Sequence, residues 1–361
     1  MTATEEHRFP CDACGADMRF APGGDRLECD HCGATQTIDE AGPWDGAVKE
    51  LDFRAAIQNL LPLQEMEETR VSHCPSCAAE VEFDPAQHAA ECPFCATPVV
   101  TDTGTHRHIK PRGVLPFALD DKQASDAMRA WLGSLWFAPN GLKAYARQGK
   151  APSGIYVPYW TFDARTQTRY DGQRGTKYTV KSGKRTVTKI RWRRVAGRVA
   201  RAFDDVLVLA SQSLPKRYTD ALEPWDLSAM EPYRPEYLAG FRAEGYQIDL
   251  DTGFQAARVK MDAQIRRDIK FDIGGDRQRI DRVDTQISDV TFKHVLLPVW
   301  LAAYKYRGET YRFVVNGRTG RVQGERPWSA WKIAFAVLVG LIVAAGLGYV
   351  VAMEELASEF Q

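Results

Sequence analysis

The chain has 361 residues, of which 44% are hydrophobic and 26% are charged, so it is long enough for two or three domains and too apolar to be disordered. Its formal net charge is zero, but residues 1–100 contain 6 Lys and Arg against 19 Asp and Glu, and the remainder contains 41 against 28. The N-terminal part is therefore acidic and is expected to repel phosphate, whereas the rest is basic.

All eight cysteines lie before residue 96, in four C-x-x-C pairs. The N-terminus has no cationic start followed by an apolar run, which argues against a secretory signal and places the thiols in a reducing compartment. Paired thiols in such a compartment are typical metal ligands. The predicted ligands are Cys11, Cys14, Cys29, Cys32, Cys74, Cys77, Cys92 and Cys95.

Both cysteine quartets have the spacing C-x2-C-x14-C-x2-C, and the second begins 63 residues after the first. Each predicts a zinc ribbon, in which a hairpin brings two knuckles together around one ion, so two structural zinc ions are expected. Four thiolates leave no open coordination position, which excludes Lewis-acid catalysis at either ion. His31 and His73 are alternative ligands. They are not expected to bind the metal, because each site already has four cysteines.

The predicted fold class is α+β: two N-terminal zinc ribbons, a mainly antiparallel α+β domain and one C-terminal transmembrane helix. Aromatic and β-branched segments with glycine turns favour strands, and helices are expected near residues 120–136 and 233–268. The predicted domains are ribbon 1 at 8–40, a helical linker at 41–71, ribbon 2 at 72–101, the α+β domain at 112–326, the transmembrane helix at 333–353 and a short extracytoplasmic tail at 354–361.

Residues 176–201 contain ten Lys or Arg and no acid, and they predict a hairpin that turns at Ser182-Gly183. Three interpretations stay open at this stage: a solvated face, a contact with anionic phospholipid headgroups, and a nucleic-acid contact, which is the least favoured functional role. The candidate contact residues are Lys184, Arg185, Lys189, Arg191, Arg193 and Arg194.

Residues 333–353 form an uncharged apolar stretch of 21 residues, sufficient to cross a bilayer as a helix. Basic residues precede this stretch and acids follow it, so the positive-inside rule predicts a single-pass protein of the cell inner (cytoplasmic) membrane with its N-terminal bulk in the cytoplasm. Small residues recur every four positions and predict helix packing or self-association, with ordinary composition as the alternative. These are Ala336, Gly340, Ala344 and Gly348.

The sequence lacks the phosphate loop, the G-x-S-x-G elbow, the H-E-x-x-H motif and a cysteine outside the pairs, so a non-enzymatic protein is expected. Three groups of polar residues are alternative candidates for a catalytic site. Asp204 and Asp205 are interpreted as strand-end acids, His106 and His108 as part of a polar linker, and His294 as a packed histidine.

The paired C-x-x-C units, the middle segments VPYWTFDA, DDVLVLAS, LLPVW and VVNGRTGRVQGERP, and the C-terminal apolar stretch together resemble a bacterial family. This family comprises membrane-anchored double-zinc-ribbon proteins, often labelled TFIIB-type zinc-ribbon or primosomal-protein-N′-like (replication factor Y, superfamily II helicase). Some members resemble companions of phage-shock-type membrane-stress proteins. The resemblance implies an adaptor that recruits a peripheral coat protein to the bilayer.

The leading expectation is therefore a non-enzymatic adaptor whose acidic ribbons capture a protein partner at the cytoplasmic membrane face. Anionic lipid is a further expected contact of the basic hairpin. The main alternative is a membrane-tethered nucleic-acid-binding protein, related to replication or transcription, that uses the hairpin at 176–201.

Overall fold

The computed structural model describes residues 9–38, 48–62, 65–74, 80–82, 89–91, 94, 98–100, 104–139, 152–182, 185–306 and 309–359. These residues form an α+β structure with mainly antiparallel sheets. The helices are α1 Phe53–Ile57, α2 Asp121–Ser134, α3 Lys216–Ala221, α4 Leu250–Ile273 and α5 Ala330–Glu359.

Seventeen strands are present among the described residues. They are β1 Arg19–Phe20, β2 Arg26–Glu28, β3 Thr35–Thr37, β4 Leu51–Asp52, β5 Met66–His73, β6 Glu80–Glu82, β7 Ala89–Glu91, β8 Pro98–Val100, β9 Gly104–Ile109, β10 Gly113–Val114, β11 Ser153–Ser182, β12 Arg185–Leu209, β13 Glu231–Pro232, β14 Arg242–Ala243, β15 Arg277–Tyr306, β16 Glu309–Asn316 and β17 Val322–Gly324.

Three strands of unusual length organise the fold. β11 and β15 have 30 residues each and β12 has 25, and β11 lies between the other two in antiparallel pairing along almost its whole length. At about 3.3 Å per residue, a strand of this length follows a path of roughly 100 Å. The segment VPYWTFDA of β11 lies opposite the segment of β15 that ends at Leu297, with Val157 opposite Leu297 and Phe162 opposite Phe292.

Irregular positions divide this sheet into two parts. The register shifts between Phe162 and Ala164, and Asp205 and Asp289 have φ values of 50° and 52°, in the left-handed region. We call residues 164–182, 185–203 and 277–288 the arm. We call the rest of this sheet, together with the segments packed on it, the base. In the arm, the described residues of β12 and β15 pair only with β11, so both outer strands are edges.

Helix α4 covers one face of the arm. It begins after Asp249, whose carboxylate accepts the Thr252 N–H at 2.7 Å, and ends at Gly274, which has a φ of 64°. Ile265, Ile269 and Ile273 recur every four residues on one side of the helix and pack with Tyr170 of β11. The helix starts later in the chain than predicted, because the segment before it forms short 3₁₀ turns and strands.

The base has a core of aromatic side chains. Phe117 stacks on Phe241 with ring centroids 4.3 Å apart and also contacts Tyr156 and Trp300. At the end of β16, the side-chain oxygen of the buried Asn316 accepts hydrogen bonds from the backbone N–H groups of Arg318 and Thr319. These bonds fix the predicted turn at Asn316-Gly317.

Two further predictions differ from the structure in detail. The basic hairpin pairs Ser182 with Arg185, so Ser182 belongs to β11 and not to the turn predicted at Ser182-Gly183. The predicted helical linker contains the five-residue helix α1 followed by strand β5, which continues to His73. The described part of the linker therefore contains a short helix and also the first residues of a strand.

Candidate metal centre and charged surfaces

The first cysteine quartet lies in two matching turns of the N-terminal cysteine unit (residues 9–38). In each turn, the carbonyl of the first cysteine accepts the N–H of the glycine that follows the second cysteine, at 2.7 Å for Gly15 and 2.9 Å for Gly33. Both glycines have a φ of 74°, a conformation that a side chain would disfavour. The repeated C-x-x-C-G-A sequence thus dictates two equal knuckles, which the strands β1, β2 and β3 bring together.

The four sulfur atoms of Cys11, Cys14, Cys29 and Cys32 all lie within 4.8 Å of one another. The Sγ–Sγ distances are 3.6 Å between Cys11 and Cys32 and 3.5 Å between Cys14 and Cys29. Tetrahedral zinc with bonds of about 2.3 Å separates its ligands by roughly 3.8 Å, close to these values. The quartet can therefore hold one metal ion, and its chemistry is consistent with zinc.

The thiols of the quartet differ: the pKa of Cys29 is lowered, whereas those of Cys14 and Cys32 are raised, because the backbone N–H groups of Ala16 and Ala34, which act to lower them, are outweighed by neighbouring thiols and burial. Backbone N–H groups of Cys32 and His31 lower the pKa of the Cys29 thiol to about 7. Four thiolates this close would repel one another strongly without a cation between them. A metal ion held by all four sulfurs would have no open coordination position and would stabilise the unit.

The apolar side of the N-terminal cysteine unit packs against the base. Phe20, 3% exposed, contacts Tyr237 edge-on at a centroid distance of 5.3 Å and lies 6.4 Å from Phe241. The backbone continues the contact, since the Phe20 N–H donates to the Ala239 carbonyl and the Gly23 N–H to the Phe117 carbonyl, both at 2.9 Å. The unit is therefore part of the same packed body as the base.

The second cysteine quartet is described only at Cys74. This side chain is 2% exposed and shares an apolar cluster with Phe94 and with Val157 and Val299 of the central sheet. The other three predicted ligands, Cys77, Cys92 and Cys95, lie outside the described residues, so the second zinc site stays a prediction.

The predicted lipid or nucleic-acid contacts lie along β12, an edge strand of the arm. Four of them are exposed: Lys189, Arg191, Arg193 and Arg194. Arg185 is the first residue of the strand, and Lys184 lies outside the described residues. Two aromatic residues of the hairpin, Tyr178 on β11 and Trp192 on β12, already contact cations of the chain. The Arg191 guanidinium lies 5.1 Å from the ring centroid of Tyr178, and Arg279 lies 4.3 Å from that of Trp192.

These contacts favour the interpretation of the basic residues as a solvated, protective edge. Exposed edge strands invite pairing with other chains, and closely spaced like charges oppose it. Cation–π partners also compete with base stacking on Tyr178 and Trp192.

The apolar helix α5 is largely exposed and is hydrogen-bonded to the packed body near its start, where the Lys332 ammonium donates to the Trp136 and Ala138 carbonyls. Over Ala330–Tyr349 its mean hydropathy is 2.2 and none of the segment is buried, so this helix is long and apolar enough to cross a membrane. Ala336, Gly340, Ala344 and Gly348 all lie on it. Within the part of the chain that the structure describes, no atom lies within 4 Å of the position that a Cβ would take at Gly340 or Gly348, so these positions are open to another helix or to lipid.

An ion network around the buried Lys293, at the junction between base and arm, was not predicted. The Lys293 ammonium lies 2.7 Å from Asp205, 3.2 Å from Glu50 and 4.0 Å from Asp163. The pKa of Asp163 is raised to about 7, first by burial and then by a hydrogen bond with Glu50. The same hydrogen bond is the main cause that lowers the pKa of Glu50 to about 2. The two carboxyl groups therefore share a proton near neutral pH.

The oxygens of Asp163, Asp204 and Asp205 are also close enough to hold a cation. Lys293 already supplies positive charge to this cluster, so the geometry is that of a satisfied structural network. Two features of the sequence could have indicated this network: the Asp204-Asp205 pair and a lysine within the apolar run TFKHVLLPVW. Their contact could not be predicted, because the two segments are far apart in the sequence.

His294 has the environment of a packed histidine. Its Nδ1 lies 2.8 Å from the Ile109 carbonyl, to which it donates, and complete burial lowers its pKa to about 4. Its ring lies 5.1 Å from the Trp160 ring and 5.4 Å from the Tyr246 ring. A neutral imidazole in this apolar surrounding contributes to packing.

The fold and the cysteine quartet thus define an α+β protein with an N-terminal four-cysteine metal centre and a C-terminal apolar helix. A curated protein of Bacillus subtilis (strain 168), described as uncharacterized protein YdjG, is similar to this chain, with 28% identity over 229 residues that cover 63% of this chain and 67% of the relative. No family model matches the chain. No solved structure matches it.

Proposed function

We propose that the protein is a non-enzymatic adaptor that α5 anchors in the membrane and that docks a protein partner through a zinc-loaded N-terminal ribbon. The observation that carries this proposal is the two-sided packing of the N-terminal cysteine unit. Its apolar side is buried against the base, whereas both knuckles, including Cys14 and Cys32, are exposed.

The buried side makes the knuckle face a preorganised surface. A small unit with strands of two or three residues cannot hold a shape by apolar burial alone, so the metal and the contacts of Phe20 with the base must both fix it. A surface that is rigid before binding loses little conformational entropy when a partner docks.

The exposed side of the unit has an excess of acids. Asp12, Asp17, Asp25, Glu28 and Asp30 are exposed, against the basic residues Arg19 and Arg26, and Arg19 is paired with Asp30 at 2.9 Å. Four thiolates around Zn²⁺ add a formal charge of −2. This field repels phosphate and favours a partner with a basic docking surface.

Membrane attachment follows from α5 in this proposal. Arg318, Arg321, Arg326 and Lys332 precede the apolar segment, which favours a cytoplasmic location for the metal centre. The family resemblance suggests a phage-shock-type coat protein as the partner, and a peripheral protein of this kind would need a membrane-bound receptor.

The test is quantitative crosslinking from native membranes. We expect the double substitution Asp12→Lys and Asp30→Lys to reduce capture of the partner about tenfold or more, because it reverses the charge of both knuckles without removing a ligand. The matched control is Asp171→Lys with Asp284→Lys, which reverses two exposed acids on the arm. The same capture with both double variants would rule out the knuckle face.

A second candidate function is nucleic-acid binding by the arm. It is favoured by the exposed Arg191, Arg193 and Arg194, which lie on the arm while the acidic unit packs on the base. If this function holds, duplex DNA should bind the full chain with a steep loss of affinity as salt rises. Substituting these three residues with Glu should remove binding, whereas Lys122, Arg129 and Lys216 to Glu should not.

A further inference from the structure

An apolar crevice lies between the end of α2 and the start of α5. Its volume is about 700 Å³, within the range of small-molecule sites. The α2 side includes Leu132, Trp136 and Pro139, and the α5 side includes Trp331, Phe335 and Val339. The crevice is therefore built jointly by the packed body and the apolar helix.

Hydrogen bonds hold the two walls of the crevice at a fixed spacing. The Lys332 ammonium donates to the carbonyls of Trp136 at 3.1 Å and Ala138 at 2.9 Å, and the Ser329 N–H donates to the Phe137 carbonyl at 2.8 Å. Lys332 thus belongs to α5 but is bonded to the segment after α2. These bonds make the crevice a formed site rather than a chance gap beside a free helix.

The crevice exposes large apolar side chains that water solvates poorly. Trp136 and Trp331 are each 80% exposed, and Phe335 is 60% exposed. Tryptophan is enriched where a membrane meets water, because its ring is apolar and its N–H is polar. The two tryptophans therefore mark the depth at which the crevice meets the headgroups.

The position along α5 places the crevice within one leaflet. Val339 lies nine residues after Ala330, where the helix begins, which corresponds to about 14 Å at 1.5 Å per residue. Half of the hydrocarbon core of a bilayer is about 15 Å thick. The apolar lining thus covers the depth that the acyl chains of one leaflet occupy.

We propose that this crevice binds one acyl chain of a membrane phospholipid, with the headgroup beside Trp136 and Trp331. The inference rests on the membrane placement of α5 proposed above. The bound acyl chain covers the exposed aromatic surface and contacts both α2 and α5. The packed body is therefore held at a defined distance from the bilayer by a lipid as well as by the polypeptide.

The test uses the full-length protein in vesicles of equal parts phosphatidylethanolamine and phosphatidylglycerol, with a trace of a phospholipid that has a photoactivatable diazirine on its acyl chain. Crosslinked residues are mapped by mass spectrometry. We expect adducts on residues 132–139 as well as on α5. Ala336→Trp should lower the adducts on residues 132–139 about tenfold, because Ala336 lines the crevice and the indole fills it.

The matched control is Ala344→Trp, two helical turns further along α5 and outside the crevice lining, which should leave those adducts unchanged. A second variant, Leu132→Ala, enlarges the crevice without adding bulk and should retain the adducts. Adducts confined to residues on the opposite face of α5, such as Val337 and Leu341, with none on residues 132–139, would overturn the crevice site alone. The absence of adducts anywhere on α5 would overturn both the site and the membrane placement.

Discussion

The N-terminal cysteine unit and the arm reach order by opposite means. The unit has strands of two or three residues, a four-cysteine cluster and one apolar side docked on the base. The arm has three long antiparallel strands and a 24-residue helix over one face. This chain therefore orders its smallest unit with side-chain ligands and its longest strands with backbone pairing.

Each solution leaves a different surface exposed. Metal ligation concentrates the order of the unit at two knuckles, so the polar surface around them is free for another molecule. Backbone pairing leaves two edges along the arm, and the basic residues of β12 oppose unwanted pairing there. The proposed docking face and the basic edge are thus consequences of how each region is stabilised.

Removal of the metal should produce the largest difference in stability between the N-terminal cysteine unit and the arm. Cys29→Ser, or chelation of the full chain in detergent, should unfold the N-terminal cysteine unit, because structural zinc contributes roughly 10 kcal/mol to units of this size. Metal analysis should show about one zinc fewer for the variant. Hydrogen exchange should rise across residues 9–38 and stay low in the arm, and Thr35→Ser serves as the control.

Core truncations should destabilise one region at a time. Phe20→Ala should cost about 3 to 5 kcal/mol by leaving a cavity against Tyr237 and Phe241, and should free the N-terminal cysteine unit from the base. Ile269→Ala should cost about 2 to 5 kcal/mol and raise exchange in the arm alone.

Urea unfolding and hydrogen exchange of the full chain measure both effects. The controls are Phe271→Ala and Val259→Ala on exposed positions of α4, which are 90% and 71% exposed and should change stability by less than about 0.5 kcal/mol. A change of exchange in both regions from either core variant would show that the two are one cooperative unit.

The junction should respond to the loss of its cation. Lys293→Met should cost about 3 kcal/mol, because Glu50, Asp163 and Asp205 would lose the charge that holds them together. Adding Glu50→Gln should recover part of this loss, since it removes one of the facing carboxylates. The measurement is a double-mutant cycle of urea unfolding at neutral pH, and strict additivity would contradict the network.

The smallest expected effect is on pH dependence. The pKa of His294 is lowered to about 4 in the folded state, against 6.5 for a free histidine, so its contribution to stability is complete above pH 6.5 and is lost as the pH falls toward 4. At pH 5 the loss is about 2 kcal/mol. His294→Gln should remove this part of the difference in unfolding free energy between pH 7 and pH 5, and an unchanged difference would contradict it.

Several features followed directly from local sequence. The C-x-x-C-G-A repeats predicted the two knuckles, since ligand spacing and a left-handed glycine are local properties. The apolar length of residues 333–353 predicted a helix able to cross a membrane, and the structure has α5 there. Aromatic and β-branched segments predicted strands, but neither the 30-residue length of β11 and β15 nor their mutual pairing could be predicted, because pairing depends on contacts more than 100 residues apart.

The sequence by itself determined which residues can ligate a metal, which segment is apolar enough for a membrane and how charge is divided along the chain. Only the tertiary structure decided that the N-terminal cysteine unit docks on the base, that Lys293 joins acids from distant segments, and that α2 and α5 enclose a crevice. Ligand spacing, hydropathy and charge are properties of neighbouring residues, whereas packing, ion pairing and cavity shape arise only when distant segments meet.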